Sequence, residues 1–90
     1  RTTMKAYKVV VTDTVVNLVP VDNINRPVYV QIEGNSTVYI GGANVTAAQG
    51  FPIVKHTAPI QGGLGVGDGL WGICSAGQTE TIRIITVDSD

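Results

Sequence analysis

Hydrophobic and polar positions alternate every second residue along much of this chain, the period of a half-buried β-strand rather than of a helix. Arg26 to Glu33 shows it most clearly: Val28, Val30 and Ile32 share one face, and Tyr29, Gln31 and Glu33 the other. The same reading predicts strands over Ala6 to Thr12, with Tyr7, Val9 and Val11 together, over Val15 to Val19, and over Ser36 to Ile40. In the second half, Ile53 to His56, Ala58 to Leu64, Leu70 to Ser75 and Thr79 to Val87 complete the set. Turn-forming clusters separate these runs, among them Asp22-Asn23-Ile24-Asn25, Gly34-Asn35, Gly41-Gly42 and Ala76-Gly77. The one helical candidate, Val45 to Gln49, amounts to a single turn before Gly50-Phe51-Pro52.

Seven or eight short strands with no crossover helix predict an all-β fold, a small antiparallel β-sandwich or barrel. The connections over 20–26 and 41–69 are longer than hairpin turns, which suits Greek-key or jelly-roll wiring. The whole of 1–90 reads as one domain, with an ordered core over about 6–88. The last strand is apolar on both faces: Ile82 and Ile84 share one, while Thr81, Arg83, Ile85 and Val87 share the other. One face packs a core, so Ile85 and Val87 imply a second buried surface, a subunit contact.

Composition sharpens this picture. Val, Ile and Thr supply 33 of the 90 residues, a β-favouring bias. Charged residues are only 14% against about 25% in typical soluble domains, which leaves much of a small domain's surface neutral or apolar. The basic residues Arg1, Lys5, Lys8, Arg26, Lys55 and Arg83 are scattered among the acidic ones at a net charge of −1. They form no stripe that would track phosphates, so no nucleic-acid partner is expected. No membrane partner is expected either, since no apolar run reaches the length of a spanning helix. The lack of a signal-peptide pattern fits synthesis in the cytoplasm.

Candidate chemistry is sparse. The string from Gly67 to Gly72 spells G-x-G-x-x-G, but a dinucleotide site needs a helix after it, and Leu70 onward reads as a strand. A loop entering a strand is the plainer reading. His56 has no second histidine or cysteine pair beside it in sequence, so no metal site is expected. Cys74, the one cysteine, sits in an apolar strand and reads as a small buried hydrophobe; paired with His56 it would be a nucleophile lacking an orienting third group. The N-x-T sequons at Asn35 and Asn44 read as turns. Trp71, Tyr7, Tyr29, Tyr39 and Phe51 offer stacking surfaces for sugars or bases, against the simpler role of core or interface packing. The expectation is therefore a protein that is not an enzyme and takes no cofactor or small-molecule substrate.

The run Val38-Tyr-Ile-Gly-Gly-Ala-Asn-Val-Thr-Ala-Ala-Gln-Gly-Phe-Pro-Ile53 resembles small virion proteins of tailed bacteriophages. There such a run follows an Arg-started strand, here Arg26 to Ile32, and precedes a Gly/Asp-rich turn and a short strand, here Gly67 to Ser75, and a final T–R strand, here Thr81 to Ile84. Gln49 and the stretch from His56 to Gly65 depart from that pattern. The resemblance implies a capsid decoration (cement) or head-fibre protein on the outer surface of a virion, a homotrimer bound to the major capsid protein. A tail- or fibre-associated adhesin that binds a receptor or glycan is the alternative. The expected oligomer and capsid contacts are Ile85, Val87, Arg83, Trp71, Tyr39 and His56, with the loop over 55–68 and an arm from Arg1 to Lys5 as further contacts.

Overall fold

The computed structural model describes residues 2–54 and 60–89. Eight strands follow in chain order: β1 (Thr2–Val11), β2 (Val16–Val19), β3 (Arg26–Ile32), β4 (Val38–Gly41), β5 (Phe51–Ile53), β6 (Ile60–Leu64), β7 (Leu70–Cys74) and β8 (Glu80–Ser89). They form two four-stranded sheets, β1-β8-β3-β6 (sheet A) and β2-β7-β4-β5 (sheet B). Every pairing is antiparallel. Apart from the β4–β5 step, each strand hands the chain to the opposite sheet, which is the wiring of a jelly roll. Residues 45–49 hold turns, with Gly50 N–H donating to the Thr46 carbonyl at 2.7 Å.

Alternation places the core. Val11, Val28, Val30, Ile32, Ile82 and Ile84 of sheet A meet Leu18, Val19, Val38, Ile53 and Cys74 of sheet B, all buried. Burying each of these larger side chains contributes about 1.5–3 kcal/mol, the term that offsets chain entropy in so small a domain. Leu18 and Val19 are neighbours in sequence, yet both face inward. A register shift between Asn17 and Val19 permits it, and the Asn17 side-chain amide donates to the Val19 and Leu70 carbonyls at 3.1 and 3.2 Å across that irregularity. Pro52 lies on edge strand β5, where a missing N–H disturbs the ladder least.

Several boundaries differ from the sequence reading: the strand expected from Ile53 onward is β5 at Phe51–Ile53, where Phe51 and Ile53 pair with Ile40 and Val38 of β4. β1 begins at Thr2 rather than near Ala6, because β8 runs on to Ser89 and pairs with it over ten consecutive positions. The segment expected to be an N-terminal arm is thus strand from Thr2 onward. Likewise Ile60–Leu64, inside the expected 55–68 contact loop, is strand β6 paired to β3, while 55–59 lies outside the described residues.

Candidate assembly surfaces

The outward side chains of sheet A form adjoining apolar rows. On β8, Ile82, Ile84 and Thr86 are buried, so Arg83, Ile85 and Val87 point away from the core. Register sets Ala6, Ile85 and Tyr29 side by side across β1, β8 and β3, and Met4 beside Val87 in the next row. Met4 is 68% exposed, Tyr29 37%, and Ile85 and Val87 are half-buried. A shallow depression of about 410 Å³ runs between Ala6, Lys8, Tyr29, Gln31, Arg83 and Ile85. Arg83 is tied to Glu33 at its edge. An exposed ion pair of this kind contributes little, so the face is defined by its apolar rows.

Three of the sequence-predicted contact residues, Arg83, Ile85 and Val87, therefore come together. Two others do not join them. Tyr39 and Trp71 alternate with core residues of β4 and β7 and lie on the outer face of sheet B, across the sandwich. Each covers a glycine: a Cβ on Gly50 would lie 2.6 Å from Tyr39 Cβ, and one on Gly69 3.0 Å from the Trp71 ring. Those glycines let the chain pass close to the Tyr39 Cβ and the Trp71 ring. His56 lies outside the described residues.

The reactive residue types are engaged in holding the sandwich. Both oxygens of the buried Glu80 carboxylate accept backbone N–H bonds, from Gly34 at 2.8 Å, Ser36 at 2.9 Å and Thr81 at 2.9 Å. The carboxylate thereby fixes the β3–β4 turn to the start of β8. Buried Arg26 donates to the Pro20 carbonyl and, at 3.2 Å, to the Asp68 carbonyl, and lies 4.0 Å from the Asp22 carboxylate. It joins the β2–β3 connection to the turn before β7, and Gly67 N–H adds a 2.8 Å bond to the Asp22 carbonyl. Cys74 is buried, with Sγ 3.5 Å from the Val11 carbonyl, and burial above all pushes its pKa up. Gly67 of the glycine string has a positive φ of 83° and leads through a turn into strand β7. Among the described residues no three His, Cys, Asp or Glu side chains gather as a metal would require.

The two rims of the sandwich differ. At the β1/β2 rim the Tyr7 hydroxyl donates to the Leu18 carbonyl at 2.7 Å. At the β5/β6 rim a groove of about 260 Å³ opens between the sheets, lined by Val28, Val30, Ile40, Phe51, Leu64 and Leu70. Phe51 is 63% exposed there, and a Cβ on Gly62 would meet nothing within 4 Å. Sequence reading missed Met4 and Val10 as outward apolar residues. The signal was present, since both alternate with Tyr7, Val9 and Val11 just as Ile85 alternates with Ile84.

Fold and surface together define an eight-stranded jelly-roll sandwich with apolar outer rows. No protein-family model and no curated protein matches the sequence. Among solved structures, the chain is similar to one from Bacillus endospore appendages, described as a novel family of disulfide-linked pili. The two share a TM-score of 0.61 at 12% identity, over 99% of this chain and 87% of that one. This corrects the expectation of a phage virion protein, whether capsid decoration, head fibre or tail adhesin: the structure it is similar to belongs to a pilus-type appendage. The residues that carried the phage resemblance are accounted for by the sandwich itself. Val38 and Ile40 pack its core, Tyr39 covers Gly50, and Gly67 turns the chain into β7. The capsid partner and the virion location rested on that resemblance alone.

Proposed function

We propose that this chain is a structural subunit that associates with further copies of itself, in an assembly of the appendage kind, and performs no catalysis. The observation that carries this reading is the outer face of sheet A, where Met4, Ala6, Ile85, Val87 and Tyr29 form adjoining rows on a domain with few charges. The fold likeness to an appendage structure supports it, as does the engagement of Glu80, Arg26 and Cys74 in internal bonds. This subunit's association does not run through a disulfide at Cys74, because that thiol is sealed in the core.

Sedimentation across a concentration series, combined with negative-stain electron microscopy, tests this. Species heavier than the 9.4 kDa monomer are expected, growing with concentration and with added ammonium sulfate, which strengthens apolar burial. A monomer at every concentration and salt level would overturn the proposal.

A further inference from the structure

One edge of sheet A is a ten-residue strand, as long as β8 beside it and twice the length of β6 at the other edge. β1 pairs with β8 through ten consecutive positions and carries no proline. Outer strands present backbone N–H and C=O groups to any chain that comes alongside, and natural proteins blunt them with short length, bulges, prolines or lysines. Of these devices β1 has the lysines, Lys5 and Lys8.

Resting on the self-assembly reading above, we propose that two copies join along β1, antiparallel, about a two-fold axis perpendicular to the sheet at Tyr7. The two four-stranded A sheets then become one continuous sheet. Such an axis keeps both outer faces on the same side, so outward residues of one copy must meet outward residues of the other. Centring on Tyr7 sets Met4 opposite the second copy's Val10, and the symmetry repeats the contact. These two outward apolar residues are 68% and 58% exposed in the monomer. Ala6 then faces Lys8, and Lys5 faces Val9. Centring on Lys5 or Lys8 would put two ammonium groups face to face, so the lysines exclude those two registers without forbidding pairing. The joined sheet also brings the Ile85 and Val87 rows of both copies onto one surface.

The test is a double variant, Met4→Cys with Val10→Cys. Within one chain these positions are six residues apart on a strand, about 20 Å, beyond any disulfide. Across the proposed pair their Cβ atoms lie about 4.5–5.5 Å apart, near disulfide range. Both sites are exposed, so the fold should survive, and buried Cys74 takes no part. Mild oxidation should convert most of the protein to a covalent dimer on a non-reducing gel, reversed by reductant. No covalent dimer from a variant that still self-associates by light scattering would overturn the β1 contact and leave the assembly reading standing. A dimer formed instead by Met4→Cys with Lys8→Cys would overturn the Tyr7 register. A variant and wild type that are both monomeric by scattering would overturn both proposals.

Discussion

The hydroxyl of Tyr7 on β1 donates a 2.7 Å hydrogen bond to the carbonyl of Leu18 on β2, joining the two sheets across one rim. The ring packs against the core, while its polar tip satisfies an edge-strand acceptor at the register shift. Tyr7→Phe keeps the packing and removes the bond. The expected loss is about 1 kcal/mol, read as a lower urea midpoint with an unchanged slope.

Glu80 holds three backbone N–H groups with its two carboxylate oxygens. Glutamine keeps the shape but offers one acceptor and a donor that opposes the N–H groups. Glu80→Gln should therefore cost about 1–3 kcal/mol by chemical denaturation. Gly34→Ala should act through the same contact, because its Cβ would lie 2.8 Å from Glu80 Oε1.

How much of this was legible in advance depends on the physics of each element. The alternation of Val28, Val30 and Ile32 with Tyr29, Gln31 and Glu33 reports a strand with one face buried, and the structure buries that face. The two-sided apolar pattern of β8 likewise reports an outward apolar row, and the structure turns Ile85 and Val87 away from the core. The roles of Glu80 and Arg26 were not legible, since the amides of Gly34 and Ser36 on Glu80, and one of the two carbonyls on Arg26, lie more than 40 residues away in sequence. Only a closed tertiary structure brings those partners together. Tyr39 and Trp71 looked equivalent to Ile85 as contact residues, but periodicity does not say which sheet a strand joins. The phage resemblance misled because its motif residues encode turns and packing of a jelly roll, and that fold is shared by unrelated assemblies.

Gly72 lies in β7 with its α-carbon facing the core. A Cβ there would sit 2.9 Å from Leu18 Cδ1 and 3.4 Å from Val38 Cγ1, two of the most buried side chains. Gly72→Ala should overpack this site and cost about 1–3 kcal/mol, despite alanine's usual entropic advantage over glycine. A thermal midpoint lowered by several degrees checks it.

The Cys74 thiol gives stability a slope in alkali. Burial first, then the Glu80 and Asp13 carboxylates, raise its pKa above the ordinary 9.0. Unfolded chains lose this proton near the ordinary value, whereas the native state keeps it to higher pH. The thiol's contribution is therefore full below about pH 9 and is lost as pH rises toward the native value. Cys74→Ala removes that slope. The stability gap between wild type and variant, measured by urea unfolding, should narrow from about pH 8 to about pH 10.

Self-association through the apolar outer face of sheet A is the property on which the proposed function turns. Light scattering of the wild type beside Ile85→Ser/Val87→Ser tests it most directly, since both side chains lie outside the core cluster and the double variant should stay folded. A wild-type mass above twice 9.4 kDa is expected, falling in the folded variant to no more than twice 9.4 kDa, the pair joined along β1. A wild-type mass of 9.4 kDa at every concentration, or an unchanged assembly in the variant, would contradict it.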